Sequence, residues 1–302
     1  MRFRSAFAAT VLLSVHNVQL HAADLAWTYT TDLASKGEVE FEQWVTARWE
    51  KEHGAYNVID FREEFEYGVA DNFQIALYLN HHYVYANSDV PAEDPAHPGK
   101  RLAGVYETGG ENVHAGHNPV TPFDGYHFES VSLEAIYRLL SPDKHPLGLA
   151  VYFEPTIGDE ETELEWKLIL QKNWFGDRLA WALNFNYELE FEETDGGYER
   201  DAVFEWFTGI SCRLAHNWSA GLEFWNRHEF ADTTVHEYSA YFIGPTIHYE
   251  RGRWSATLGF LHQLPIGQAF SHETKEFAAH DGYIFGDEQE QYYVRLRVGI
   301  DF

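Results

Sequence analysis

Apolar and polar residues alternate along most of this chain, from residue 38 to residue 302. A period of two is that of a β-strand, because successive side chains point to opposite faces of a sheet. The pattern is clearest at 178–192, where one face carries Leu179, Trp181, Leu183, Phe185, Tyr187, Leu189 and Phe191. We identify twelve such runs, separated by segments rich in turn residues: 38–51, 56–69, 73–86, 125–140, 147–157, 162–174, 178–192, 200–214, 218–230, 236–249, 254–264 and 287–302.

The lengths of the runs and of their connections indicate a membrane barrel. Every run reaches the roughly 9–11 residues with which a tilted strand crosses a bilayer. The two very long connections, 87–124 and 265–286, are both odd-numbered, whereas every even-numbered connection is short. Short turns at one end and longer loops at the other are typical of outer-membrane barrels. We therefore predict an all-β fold, a transmembrane antiparallel up-and-down β-barrel of about 12 strands, in contact with the lipid of a Gram-negative outer membrane.

Aromatic residues at the strand ends agree with this prediction. Trp174, Trp218 and Trp254 flank the short turns with outward parity, where an aromatic girdle belongs. The final run places Phe302 after five outward apolar residues, which resembles the terminal strand that the barrel assembly machinery recognises. Glu63 conflicts with the pattern, because its outward parity would expose a charge to lipid. A bulge at this position or a local error of register would resolve the conflict.

The first residues read as an export signal. Arg2 and Arg4 precede an apolar run, 5–15, and small residues stand just before Asp24. We predict a cleaved signal peptide at 1–22, a periplasmic N-terminal segment at 23–37, and the barrel at 38–302.

Composition excludes several classes of protein. The 302 residues include 48 acids and 21 bases, giving a net charge of −27, which argues against nucleic-acid binding. Aromatic residues are 17% of the chain, far from the composition of a disordered protein. With one cysteine there is no internal disulfide framework. Mean hydropathy is −0.41 and no stretch of 18 apolar residues exists, so membrane helices are not expected.

The inward positions of the runs carry most of the charge, with about two acids for each base. Closure of the barrel brings the first and last strands together, which places Arg295 and Arg297 within reach of Glu40 and Glu42. Such a lumen is either a structural ion-pair lattice or a water-filled pore, since twelve strands lie between filled and open barrels. The residues predicted to line it are Glu40, Glu42, Arg48, Arg62, Glu64, Glu134, Arg138, Glu154, Glu188, Glu205, Glu223, Arg227, Arg295 and Arg297.

Histidines in the longest loop offer a weaker candidate site. His114 and His117, within the string NVHAGHN at 112–118, have a spacing that could ligate zinc or copper. A surface position in a polar loop is the simpler interpretation, because neither a second cysteine nor an HExxH motif accompanies them.

The sequence contains few features typical of an enzyme. The chain lacks a GxSxG elbow, a P-loop and a GxGxxG string. Two His–Ser pairs, His127 with Ser130 and His236 with Ser239, have a spacing of three, which would place the partners on opposite faces of a strand. We therefore predict no catalytic residue, no cofactor and no enzyme activity.

Several strings resemble a family of bacterial proteins of unknown function, whose members have a signal peptide and a predicted outer-membrane barrel. The resemblance implies location and fold and brings no activity. It is strongest in the first half of the mature chain, in GEVEFEQWVTARW (37–49), FREEFEYGVADNFQIALYLN (61–80), LEAIYRLLSP (133–142), GLAVYFEPTIG (148–158) and ELEWKLILQKNW (163–174).

Three functions fit these observations. The leading hypothesis is a narrow diffusion channel with an acidic lumen, for cations or small polar solutes. The second is a closed barrel whose extracellular loops bind a ligand or metal at the cell surface. The third is an outer-membrane lipid hydrolase, which would need a Ser–His pair on the outer face.

Overall fold

The computed structural model describes residues 25–51, 55–87, 91–93, 101–106, 123–158, 161–194, 197–277, 283–286 and 288–302. The predicted signal peptide at 1–22 and the loop histidines His114 and His117 lie outside these residues.

Long β-strands dominate the described chain. In chain order the elements are β1 (Val39–Trp49), β2 (Ala55–Ala70), β3 (Phe73–Asn87), β4 (Pro91–Glu93), β5 (Arg101–Tyr106), β6 (Phe123–Leu140), β7 (Gly148–Gly158), β8 (Glu161–Trp174), β9 (Leu179–Thr194), β10 (Gly197–Ala215), β11 (Trp218–Ala231), β12 (Val235–Arg251), β13 (Trp254–Gln263), β14 (Gly267–Ala269), α1 (His272–Phe277), β15 (Tyr283–Ile284) and β16 (Tyr292–Asp301). None of the helices within these described ranges has the length and apolar character needed to cross a membrane.

Twelve of these strands form a closed antiparallel barrel, which confirms the predicted fold. The order around the ring is β1, β2, β3, β6, β7, β8, β9, β10, β11, β12, β13 and β16, and β16 pairs again with β1. The remaining short strands lie in the two long connections, where the sequence pattern indicated none. β4 pairs with β5, while β14 pairs with β12 and β15 with β14, extending the wall beyond the end of β13.

The last strand begins later than the alternation indicated. The run starts at 287, but β16 begins at Tyr292. The preceding residues contact neighbouring elements instead of extending the ladder: Lys51 Nζ donates to the Glu288 carbonyl (3.2 Å), and the Gln291 amide donates to the Glu50 carbonyl (2.9 Å).

The barrel has two distinct ends. At the turn end, short turns join β2 to β3, β8 to β9, β10 to β11 and β12 to β13. The N-terminal end of β1 and the C-terminal end of β16 lie at this end as well. Trp174, Trp218 and Trp254 are exposed at this end, as predicted. The opposite loop end carries the two long connections.

The outward charge at Glu63 is compensated without a bulge at this position. β2 keeps its register there, with Glu63 opposite Gln43 and Leu79. His81 Nε2 lies 2.8 Å from the Glu63 carboxylate, and His81 Nδ1 lies 2.8 Å from the Tyr126 hydroxyl. The glutamate therefore faces outward within a polar trio that reduces the cost of its charge.

Candidate functional site

The N-terminal segment lies inside the barrel. The sequence alone suggested a periplasmic segment at 23–37, but Leu25, Ala26, Thr28 and Thr31 are buried against the inner wall near the turn end. An extended segment cannot leave its backbone amides and carbonyls unpaired in such a place. Polar side chains on the inner wall satisfy them, and this is why the segment lies there.

Glu223 on β11 is the main anchor of this segment. Its Oε1 accepts the Ala26 amide (2.7 Å), and its Oε2 accepts the amides of Trp27 and Thr28 (both 2.9 Å). The hydroxyls of Thr28 and Thr246 donate to the same carboxylate, which is 1% exposed. A carboxylate that accepts backbone N–H groups makes charge-assisted bonds, which are stronger than neutral ones.

Three amide side chains continue the anchoring along the segment. Asn184 on β9 both accepts the Tyr29 amide (2.6 Å) and donates to the Tyr29 carbonyl (2.9 Å). Gln171 on β8 accepts the Thr31 amide (2.6 Å), and Gln74 on β3 accepts the Ala34 amide (3.0 Å).

Three arginines satisfy carbonyl groups of the same segment. Arg297 donates to the Leu25 carbonyl (3.2 Å), and Arg295 donates to the Ala26 carbonyl (3.3 Å). Arg138 donates to the Thr31 carbonyl (3.1 Å). Both the donors and the acceptors of the segment are thus held by the barrel wall.

These anchors show that the segment crosses the lumen. β11 and β3 are six strands apart in either direction around the twelve-stranded ring, so they lie on opposite sides. Twelve strands spaced by about 4.8 Å and tilted by about 40° give a diameter of roughly 24 Å. The eight residue-to-residue steps from Ala26 to Ala34 reach about 26 Å when extended. We call residues 25–34 the plug.

Glycines in the wall make room for the plug. A Cβ at Gly259 on β13 would lie 2.3 Å from Trp27 Cζ3, and one at Gly209 on β10 would lie 2.5 Å from Leu25 Cδ1. Glycine inside a strand often marks such a close approach. Trp27 thereby joins an apolar cluster on this side of the interior, together with Ala26, Phe207, Trp225, Tyr238, Ala240, Phe242, Leu261, Ala269, Ile284 and Tyr293.

A polar cavity of about 320 Å³ occupies the other side of the interior, and Arg295, which bonds the plug, is among its lining residues. Arg48, Arg62 and Arg295 line one wall of it. The acids that line it are Asp60, Glu129, Glu154, Glu163, Glu165 and Glu188. The cavity therefore has twice as many acids as arginines, and most of its acids lie on β7, β8 and β9.

Ion pairs neutralise only part of this charge. Arg62 pairs with Glu154 (2.5 Å), Arg48 with Asp60 (2.9 Å) and Lys167 with Glu165 (2.6 Å). Beside the cavity, Arg227 contacts Glu190 (3.7 Å), Glu205 (3.4 Å) and Glu229 (3.1 Å).

The β8–β9 pair carries a ladder of opposed glutamates. Glu161 faces Glu192, Glu163 faces Glu190, and Glu165 faces Glu188. Like charges directly opposite each other destabilise a sheet. Among the described residues, no lysine or arginine forms an ion pair with Glu163 or Glu188. This wall therefore holds a surplus of carboxyl groups against the cavity.

An ion pair also fastens the chain between β15 and β16 at the loop end. Arg48 Nη1 lies 2.9 Å from Glu290 Oε1, and the Tyr293 hydroxyl donates to Glu290 Oε2 (2.6 Å). Burial alone would raise the pKa of Glu290, but the charges of Arg48 and Lys51 and the Tyr293 bond hold it below its ordinary value.

The chain belongs to a family of unknown function, DUF6662, whose model matches residues 21–302. The match extends well beyond the first half of the mature chain, where the resemblance in sequence is strongest. No curated protein sequence matches the chain.

Solved structures of outer-membrane barrels share the fold of this DUF6662 member. The COG4313 outer membrane channel from Pseudomonas putida F1 matches with a TM-score of 0.57 and 8% identity, over 90% of this chain and 98% of that one. The translocator domain of the autotransporter NalP from Neisseria meningitidis gives 0.51 and 12%, over 90% and 91%. The NanC porin gives 0.50 and 9%, over 87% and 98%. These identities are too low to show more than the fold.

The residues predicted to line the lumen lie in four settings. Glu223, Arg138, Arg295 and Arg297 hold the plug, and Arg297 also pairs with Glu42 (2.7 Å) as expected from closure. Arg295 instead bonds Thr46 Oγ1 (2.9 Å) and forms no ion pair within the described chain. The cavity is lined by Arg48, Arg62, Glu154 and Glu188, with Arg227 and Glu205 paired beside it. The remaining predicted residues, Glu40, Glu64 and Glu134, lie together near the turn end.

Bulges overturn the parity argument against the two His–Ser pairs. Asn80 faces Ser130 and His81 faces Phe128, so Glu129 is an extra residue between His127 and Ser130. Glu237 is likewise extra between His236 and Ser239. Each pair therefore has the parity of a single face. The serine hydroxyls bond elsewhere: Ser130 accepts from Asn80 (3.0 Å) and Ser239 from the Gln268 amide (3.3 Å).

Alternation alone did not identify the amides that hold the plug. Gln74, Gln171 and Asn184 all have inward parity, and Gly209 and Gly259 interrupt strands at inward positions. Together, amides and glycines on one face signal a second backbone lying against the wall. That signal is present in the sequence, but it does not say which segment supplies the backbone.

Proposed function

We propose that this protein is a narrow diffusion channel of the outer membrane, that it favours cations or small polar solutes, and that its plug controls conductance. The turn end then faces the periplasm and the loop end faces outward, as in barrels with short periplasmic turns. The observation that carries the proposal is the acid-rich cavity, whose lining residue Arg295 also bonds the plug, a segment held by side-chain hydrogen bonds and not by strand pairing.

The acidic wall supplies the selectivity. Glu163 and Glu188 line the cavity without a basic partner among the described residues. Low-dielectric walls focus the field of such charges along a pore, and rings of carboxylates are how many cation pores select. Glu205 and Glu223, by contrast, are engaged by Arg227 and by the plug, so they contribute less to the free charge.

The plug itself favours a second candidate, the closed barrel. A segment that crosses the lumen between opposite strands obstructs it unless it moves. In that case the cavity is a structural feature, and the loops carry the function.

Conductance in planar bilayers tests both candidates. We compare the intact chain with a variant lacking residues 25–34 and measure the reversal potential under a KCl gradient. We expect larger conductance without the plug and a preference for potassium over chloride that shrinks near 1 M salt, where the Debye length is about 3 Å.

The charge variants complete the test. Glu163→Gln with Glu188→Gln should lower the potassium preference, whereas Asp143→Asn with Asp177→Asn, which removes two acids from turns outside the barrel, should not. Anion preference would overturn acidic control of selectivity. Absence of conductance in both the intact and the plug-deleted chain would overturn the channel and favour the closed barrel.

A further inference from the structure

Three glutamates meet on the inner wall near the turn end. Glu66 on β2 and Glu134 on β6 flank the small side chain of Ala76 on β3, and Glu64 lies two residues from Glu66 on the same face. One carboxylate oxygen of each lies within 4.8 Å of the others. Glu134 is 0% exposed and Glu64 is 4% exposed, so water does little to stabilise their charges.

The partners of these carboxylates among the described residues are neutral. The Tyr78 hydroxyl lies 2.9 Å from Glu64 Oε1 and 2.5 Å from Glu134 Oε2, and it can donate its single proton to one of them at a time. Gln74 Nε2 donates to Glu66 Oε2 (2.8 Å) and lies 3.3 Å from Glu134 Oε1. Glu64 Oε2 is buried and has no hydrogen-bond partner in this part of the chain.

Basic side chains do not pair directly with the cluster. Within the described residues, none of the three glutamates forms an ion pair, and Arg297 is bound to Glu42. Glu40 adds a further acid, because it faces Glu66 across the β1–β2 pair. A buried acidic cluster without a basic partner needs either shared protons or a bound cation.

We propose that Glu64, Glu66 and Glu134 bind a calcium ion. Calcium takes six to eight oxygen ligands at about 2.3–2.6 Å, so two ligands on opposite sides of the ion lie up to about 5.2 Å apart, which accommodates the 4.8 Å limit of this cluster. Magnesium at about 2.0–2.1 Å draws its ligands closer and keeps more water. The unpartnered Glu64 oxygen supplies a ligand atom that has no other use, and Tyr78 and Gln74 orient the carboxylates.

The site is linked to the plug by one side chain. Gln74 donates to Glu66 through Nε2 and accepts the Ala34 amide through Oε1 (3.0 Å). An ion that fixes the carboxylates therefore fixes Gln74 and, through it, one end of the plug. Calcium binding does not depend on whether the barrel conducts.

Calorimetric titration of calcium tests the site. The full-length protein is refolded in a non-ionic detergent without lipopolysaccharide or other anionic lipid, because those lipids bind calcium themselves. We expect saturable binding with a Kd of about 10⁻³ M or tighter, the range of extracellular calcium modules. Glu64→Gln with Glu134→Gln should weaken binding at least tenfold, while Asp143→Asn with Asp177→Asn, an equal change in charge at exposed turns, should leave it unchanged.

A second measurement covers the case in which the double variant does not fold. Terbium bound beside Tyr78 should show luminescence excited through the tyrosine, and calcium should displace it from the wild-type protein. Absence of saturable calcium binding would show that shared protons neutralise the cluster and would overturn the proposal. Equal binding by a folded double variant would overturn it as well, since the ion would then lie elsewhere.

Discussion

Replacing Glu223 with glutamine should loosen the plug. In the wild-type protein, Glu223 Oε1 accepts the Ala26 amide, and Oε2 accepts the amides of Trp27 and Thr28. A glutamine offers one oxygen and one NH₂ group, so at least one backbone N–H then faces another donor. An unpaired buried donor costs about 1–3 kcal/mol, and the remaining bonds lose roughly 1 kcal/mol each with the charge.

The docked plug should therefore lose roughly 3 kcal/mol relative to the undocked one, a factor of about 10² in the equilibrium. This docking equilibrium can be measured by amide hydrogen exchange, monitored by mass spectrometry of peptides that cover residues 25–34. Amides that exchange through undocking should do so about a hundredfold faster in Glu223→Gln. Glu188→Gln, which changes a lumenal glutamate that does not contact the plug, is the matched control. Unchanged protection of Ala26, Trp27 and Thr28 would refute the assignment of Glu223 as the anchor.

Three further predictions concern the packing of the plug against Gly259, the assembly of the barrel, and the ion pair at the loop end. Gly259→Ala should lower the thermal stability of the barrel and increase exchange in the plug, because the added Cβ would lie 2.3 Å from Trp27; unchanged values would mean that the indole moves freely. Deleting Phe302 should lower the yield of folded, heat-modifiable barrel in outer membranes without altering the conductance of the molecules that fold, and normal assembly would contradict its role as a recognition signal. The pKa of Glu290 in the folded protein lies below its ordinary value of 4.5. Its pairing with Arg48 therefore stabilises the protein fully above about that pH, and less as the pH falls through the folded pKa. Glu290→Gln should remove this part of the acid sensitivity when melting temperature is measured as a function of pH, and a pH profile identical to that of the wild-type protein would argue against the pair.

The barrel wall could be predicted from sequence because lipid selects one face of every strand. Outward residues such as Leu133 and Phe185 are apolar and exposed, and their period of two persists through all twelve barrel strands. Bulges are the exception. An extra residue such as Glu129 changes parity with only a local effect on the pattern, so the faces of His127 and Ser130 were assigned wrongly.

The contents of the lumen were less predictable, because charged, amide and apolar residues all occur at inward positions. The position of Glu223 on the inner wall follows from its parity, but its partners are amides more than 190 residues away in the chain. Trp225 and Phe242 likewise have inward parity, and only the three-dimensional structure shows that they pack with Trp27 in one cluster. Sequence alternation thus predicts which face of the wall a side chain lies on, but it does not predict the residues that the side chain contacts there.

The distribution of charge indicates that the residues inside the barrel do more than stabilise the fold. A lattice built only for stability would pair acids with bases, because unpaired charge in a confined space is costly. Here the plug takes three arginines, Arg138, Arg295 and Arg297, as donors to its carbonyls, although acids nearby have no basic partner in the described chain. Glu163 and Glu188 are left facing a cavity, and Glu64 and Glu134 are left facing each other. Shared protons, mobile cations in the cavity and a fixed cation in the cluster would each offset that cost. Under the two proposals above, cations that enter the lumen offset the surplus acids of the cavity and of the cluster.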